Sequence, residues 1–216
     1  MTRCLAFFGA FNPPTLAHVE LARRAMILSG RECVLFVPSK SGYITDQQGK
    51  DYAFTDEERL EMLCSVAKNR PWMRVCDWEL KQPKQPRTYE TLCYLRSAGT
   101  EASLLIGSDK LREMDEKWRY VEEMAREFGI VCMERGSDDG RQIVENSPRL
   151  RPLESHIEIV PGDESFRAVS STLVRRKLNE LRALRSELQG LVPEEIVDMI
   201  QYTYKQTVES ERKGSE

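Results

Sequence analysis

The stretch Phe7–Ala22, FFGAFNPPTLAHVELA, decides the fold. The apolar run before it, RCLAFF from Arg3 to Phe8, has the make-up of a short buried strand. Gly9 turns the chain, and Asn12-Pro13-Pro14 stiffens the turn. Thr15 is a good helix N-cap, and Leu16, Val19, Ala22 and Ala25 then recur at helical spacing until Gly30 closes the helix. Strand, tight turn and helix in this order make the first unit of a parallel α/β sheet. Ligands in such sheets lie beyond the carboxyl ends of the strands. A helix N-terminus there offers backbone N–H groups and partial positive charge to a phosphate. His18, one of only two histidines in the chain, falls one turn after Thr15. Its imidazole is placed to donate to a phosphoryl oxygen as charge builds there, although a lone histidine on a helix is also a common structural residue. The turn is neither a P-loop, since no Gly-Lys-Ser/Thr follows, nor a G-x-G-x-x-G loop.

Outward from this unit, strand and helix patterns alternate. CVLFVP (33–38), MRVCDWEL (73–80), SLLIG (103–107), GIVCME (129–134) and HIEIVP (156–161) read as strands. TDEERLEMLCSVAKN (55–69), TYETLCYLRSAG (88–99) and KWRYVEEMAREFG (117–129) read as helices, the first with a Thr55/Glu58 capping box. Two more helices are expected from about Ser171 and about Pro193. The alternation predicts a doubly wound, Rossmann-like α/β fold with a parallel sheet and helices on both faces. One domain is expected over 1–205, with a frayed polar tail over 206–216. Ser39–Phe54 and Gly136–Ser155 read as long loops.

The chain has 216 residues, 40% hydrophobic and 31% charged, with a net charge of −3. That is ample for a buried core, and it carries no basic footprint that would make nucleic acid the default partner. No apolar run approaches the length of a membrane span. The six cysteines form no C-x-x-C pair, and several sit inside apolar runs. They are expected to be buried thiols, with no metal site, in a reducing, cytoplasmic setting. A homo-oligomer is compatible with the sequence.

Further along, AVSSTLVRRKL (168–178) places the hydroxyls of Ser170, Ser171 and Thr172 at a helix start, with Arg175 one turn later able to reach the same anion. GAFNPPTLAH resembles the G-x-F-x-P-x-H/T-x-x-H signature of the nucleotidylyltransferase superfamily. Thr15 stands at the first histidine of the bacterial H-x-G-H form and Ala17 at its glycine. That departure resembles the F-N-P-x-T-x-x-H form of eukaryotic nicotinamide mononucleotide adenylyltransferases and leaves His18 as the only imidazole of the motif. SSTLVR resembles the family's I-S-S-T-x-I/V-R element, and LVPEEIVDMI (191–200) its closing L-V-P-x-x-V-x-x-Y-I element, with Met199 at the usual tyrosine. The resemblance runs from about Cys4 to Tyr202.

The resemblance implies transfer of the adenylyl group of ATP to nicotinate or nicotinamide mononucleotide, with pyrophosphate released and Mg²⁺ carried by the ATP. It implies that His18, Thr15 and Arg175 serve the reacting phosphates. Gly9, Ala10, Phe11, Gly107, Asp109, Ser170, Ser171 and Thr172 would hold ATP. Trp78, Arg87, Thr88, Trp118 and Lys40 would hold the mononucleotide or its phosphate, with Lys50 a second loop candidate. Two alternatives stand beside this reading. One is another adenylyltransferase of the same fold, such as the pantetheine-phosphate type; the other is a nucleotide-binding regulator without catalysis.

Overall fold

A computed structural model describes residues 3–46, 54–136, 138–181 and 185–204. The six strands are β1 Arg3–Gly9, β2 Cys33–Pro38, β3 Met73–Val75, β4 Glu101–Gly107, β5 Ile130–Met133 and β6 Ile157–Val160. They form one sheet in the order β3-β2-β1-β4-β5-β6, and every pairing is parallel. The order reverses direction between β1 and β4, which opens a crevice at their carboxyl ends.

Alternation along each strand builds two cores. Leu5, Val34, Phe36, Leu105 and Val131 point to one face, where they pack with Val19, Ala22, Leu63 and Val174 from the helices. Ala6, Leu35, Leu104, Ile106 and Cys132 point to the other, against Leu92, Leu111, Met124 and Val144. The helices on the first face are α1 Leu16–Leu28, α3 Asp56–Ala67 and α8 Ser171–Leu181; those on the second are α4 Thr88–Ser97, α5 Ser108–Lys117, α6 Val121–Phe128 and α7 Gly140–Asn146. Both faces are covered, as the near-continuous apolar strands require.

Several expectations are corrected. The Ser39–Phe54 loop contains a short helix, α2 Ser41–Asp46, and the Gly136–Ser155 loop contains α7 and the start of a 3-10 turn, Arg151–His156. The third strand stops at Val75: the Cys76 N–H still donates to the Phe36 carbonyl, and the chain then folds into a turn in which the Lys81 N–H donates to the Asp77 and Trp78 carbonyls. The helix expected over 117–129 starts later, as α6 at Val121, because Tyr120 takes a left-handed conformation (φ 61°), and a separate helix, α5, ends at Lys117 before it. The C-terminal region adds a one-turn helix, α9 Arg185–Leu188, before a 3-10 turn at Glu194–Ile196 that runs into helical residues 197–204. The tail over 206–216 lies outside the described residues.

The cysteines also depart from expectation. Cys4 and Cys33 face each other in the β1–β2 register on the same side of the sheet, with Cα atoms 4.6 Å apart, and are joined as a disulfide. Cys64 is exposed, while Cys132 is buried and its thiol is pushed up to about 12 by that burial. Among the described residues, no helix is long and apolar enough to cross a membrane.

Gly162, just after β6, is packed against the chain leaving β5: a Cβ built there would lie 2.0 Å from the Glu134 carbonyl oxygen. Backbone cannot swing aside as a side chain can. Gly162→Ala is therefore expected to destabilise the fold by about 3 kcal/mol or more, read as a lowered denaturation midpoint.

Candidate active site

A cavity of about 1500 Å³ opens at the carboxyl ends of the central strands, with Gly9 at the end of β1, Lys40 just after β2, Gly107 at the end of β4 and Met133 at the end of β5 on its wall. It is roomy enough for two nucleotide-sized ligands.

The β1–α1 turn forms its floor. Gly9, Ala10 and Phe11 are on the wall, as expected. Phe11 sits at φ 43° with its ring buried, edge-on to Phe7 and His18. A Cβ on Gly9 would come 3.0 Å from that ring, so the glycine makes room for Phe11. Thr15 caps α1, and its hydroxyl accepts from the His18 backbone N–H at 3.3 Å. In return the Thr15 backbone N–H donates to His18 Nδ1 at 3.1 Å, and the hydroxyl lies 2.8 Å from the same nitrogen. His18 thus occupies the N3 position of a capping box, where Glu or Gln ordinarily reaches back. Because Nδ1 accepts a backbone N–H, the neutral ring carries its proton on Nε2. The imidazole borders the cavity.

Thr15 is fully buried and outside the cavity wall, where its backbone N–H and hydroxyl hold and orient His18. The helix N-terminus is also less open than expected: the Leu16 N–H donates to the Leu191 carbonyl, and the His18 N–H to Thr15.

The α8 residues are split. Ser171 is on the wall, and its hydroxyl donates to the Pro13 carbonyl at 2.8 Å. Arg175 donates to the Asn12 carbonyl at 2.8 Å and approaches the Thr172 hydroxyl at 3.4 Å. Ser170 caps α8 through the Leu173 N–H. Ser170, Thr172 and Arg175 lie outside the cavity wall, and Arg175 and Ser171 clasp the turn that leads to His18 through the Asn12 and Pro13 carbonyls.

On the β4 side, Gly107 and Asp109 line the cavity at the start of α5. A side chain at 107 would meet Asp109 Oδ1 at 2.5 Å and Arg135 Cδ at 2.9 Å, so glycine lets this ion pair lie across the helix start. On the β2 side, Lys40, Arg87 and Thr88 are on the wall. The Lys40 ammonium is engaged by the Leu80 carbonyl at 2.7 Å and lies 3.7 Å from Asp56. Lys50 lies outside the described residues. The two tryptophans part company. Trp118 is on the wall, whereas Trp78 stacks on Tyr94 (centroids 4.5 Å apart, 13° between planes) away from it.

Sequence reasoning missed three groups. Arg59 is wholly buried and donates to the carbonyls of Phe54, Ala10 and Ser39, to the Ser41 hydroxyl and to Asp56. It pins the β1 turn to the β2 turn. Burial acts to raise the Asp56 carboxyl, but the Ser41 N–H and hydroxyl, Arg59 and Lys40 outweigh it and hold it below its ordinary value. Ser108, buried at the first position of α5, accepts from the Arg135 N–H and donates to Asp138. Arg135 itself lines the cavity. Glu79 is buried on the wall and bonds Thr91 and Gln85. Burial pushes its carboxyl up to about 7.

The cytidylyltransferase-like family model matches residues 6–177. A probable nicotinate-nucleotide adenylyltransferase of Clostridium acetobutylicum is 28% identical over 206 residues, covering 93% of this chain and 96% of that one. One of Caldicellulosiruptor saccharolyticus is 26% identical over 191 residues, covering 88% and 94%. Among solved structures, the Plasmodium falciparum nicotinic acid mononucleotide adenylyltransferase complexed with NaAD superposes with a TM-score of 0.71 at 16% identity, covering 95% of this chain and 98% of that one. That likeness shows a shared fold. With the family model spanning the β1 turn, His18 and the SSTLVR element, the chain belongs to the cytidylyltransferase-like family.

Proposed function

We propose that this protein transfers the adenylyl group of ATP to a pyridine mononucleotide, with the nicotinate form as the preferred acceptor. An oxygen of the acceptor's 5′-phosphate attacks the α-phosphorus of ATP. The bond from that phosphorus to the bridging oxygen breaks, and pyrophosphate leaves with the electron pair. Mg²⁺ enters with the ATP as part of the substrate. No side chain need bond covalently to phosphorus; the protein positions two polyanions and stabilises charge between them.

The observation that carries this reading is the state of His18. Its Nδ1 accepts from the Thr15 N–H, which makes Nε2 the protonated nitrogen of the neutral ring, and the ring borders the cavity in which the α-phosphoryl oxygens would gather charge. Arg175 and Ser171 hold the turn from behind through Asn12 and Pro13. Ser171, with Thr172 and Arg175 close by, is also the route to the leaving pyrophosphate. Gly107 and Asp109 suit the adenosine, and Trp118 offers a flat face to the pyridine ring. Lys84, Arg87 and Arg119 on the same wall favour an acceptor with an additional carboxylate. The named activity of the two curated relatives agrees with this choice.

The test is kcat/KM for pyrophosphate release with ATP and Mg²⁺, compared across nicotinate mononucleotide, nicotinamide mononucleotide and phosphopantetheine. The nicotinate form is expected to lead the nicotinamide form by about tenfold or more, the scale of one charge-assisted contact. Release with phosphopantetheine alone would keep the fold and discard the acceptor.

A further inference from the structure

Glu79 has a geometry that the transfer reaction leaves unexplained. It is 1% exposed yet borders the cavity. Its Oε1 accepts from the Thr91 hydroxyl at 2.6 Å, and Thr91 lies in the first turn of α4. Its Oε2 accepts from Gln85 Nε2 at 2.5 Å. Gln85 in turn accepts the Lys40 backbone N–H at 2.8 Å. One buried carboxyl therefore spans two walls: the turn after β2 that carries Lys40, and the start of α4 that carries Arg87 and Thr88.

We propose that Glu79 is a positioning residue for the acceptor mononucleotide, fixing the β2 turn and the start of α4 at one spacing through Gln85 and Thr91. The acceptor role rests on the adenylyl-transfer reading; the two-sided lock does not. Both partners are neutral. The charged groups around it are otherwise engaged: the Lys40 ammonium on the Leu80 carbonyl, Asp56 on Ser41 and Arg59, Lys81 on Asp77, and Glu90 on the Arg87 N–H. Arg87 and Lys84 border the same cavity, and the thiol of neighbouring Cys76 is pushed up by burial and stays neutral. The lock survives protonation, because the Thr91 hydroxyl can turn to accept from a protonated carboxyl while the other oxygen still accepts from Gln85. What changes is charge. Above about pH 7 the carboxylate stands in a cavity that must take an anionic acceptor, and the two repel.

A glutamine at this position can satisfy both partners without titrating; a leucine can satisfy neither. In the full chain, Glu79→Leu is expected to raise KM for nicotinate mononucleotide about tenfold or more, with KM for ATP within about twofold. Glu79→Gln should restore the acceptor KM to within about threefold. In wild type, kcat/KM for the acceptor should fall as pH rises through about 7, and Glu79→Gln should remove that fall. Amide hydrogen exchange reads the lock without any substrate: Lys40 N–H protection should drop in Glu79→Leu and hold in Glu79→Gln. The raised pKa means that the fold gains from this group below about 4.5 and loses that gain as pH passes 7. Glu79→Gln should therefore melt higher than wild type above pH 7. Unchanged acceptor KM and unchanged Lys40 exchange in Glu79→Leu would overturn the proposal, as would a fall near pH 7 that persists in Glu79→Gln. A wild type that transfers to no pyridine mononucleotide, with Lys40 exchange still responding, would instead overturn the acceptor reading and leave the lock standing.

Discussion

His18→Ala is expected to lower turnover by about two orders of magnitude or more while the protein stays folded. In the proposed transfer the ring offers one preorganised donor to charge that exists only in the transition state, and removing such a donor typically costs about 3 kcal/mol of barrier. The structural loss is smaller. Alanine still gives its backbone N–H to the Thr15 hydroxyl, so half of the capping box persists. The Thr15 N–H loses its partner, worth about 1 kcal/mol. His18→Gln separates the two roles. A glutamine at N3 is a natural capping-box partner and can accept the Thr15 N–H while presenting an amide N–H to the cavity. It should melt like wild type and recover part of the turnover that alanine loses. Pyrophosphate release and a thermal melt on the three proteins check this. Near-normal turnover in folded His18→Ala would remove the histidine from the mechanism.

The largest stability effect should come from Arg59→Met. Methionine fills much of the volume but leaves the carbonyls of Ala10, Ser39 and Phe54 without their shared donor and Asp56 without its buried cation. Breaking one side of a buried charged network typically costs about 3–5 kcal/mol. The damage should not stop at stability. Ala10 lies in the turn that leads to His18, and the Phe54 N–H donates to Asn12 Oδ1 at 2.9 Å in the same turn. Turnover should therefore fall even at temperatures where the variant is folded. Denaturant unfolding measures the first effect; a rate taken well below the melting point measures the second. A loss under about 1 kcal/mol would mean that this network is far less coupled than its geometry indicates. Acid should weaken the same region: Asp56 is held below its ordinary 3.8, so its contribution is present above that value and is lost as pH falls through the lowered one.

The β1 turn and α1 were legible because three signals coincide there: an apolar strand, a proline-stiffened turn, and a threonine cap before a helical period. The setting of His18 was legible only in outline. Its Nδ1 bond to Thr15 depends on its sitting at N3, which the spacing implies but the residue type hides, since a capping box ordinarily carries Glu or Gln there. Helix α5 was missed because SDKLREMDEK buries only Ser108, Leu111 and Met114, too sparse a stripe beside so many charges. Trp118 and Trp78 looked alike in sequence; what separates them is where the third strand stops and where α5 ends. Arg59 and Glu79 could not be found by periodicity at all. Each is a charged residue in a polar stretch, and each is buried because segments 20 to 49 residues away, or 12 away across a turn, converge on it. Such networks are written in tertiary contacts, and a local pattern shows only half of each pair.

The most direct test is the identity of the product. Purified protein, ATP, Mg²⁺ and nicotinate mononucleotide should yield nicotinate adenine dinucleotide and pyrophosphate in equal amounts, resolved by chromatography and confirmed by mass. Equal amounts of the two establish adenylyl transfer by attack at the α-phosphorus. Pyrophosphate without dinucleotide, or neither product from protein that binds ATP, would contradict the account.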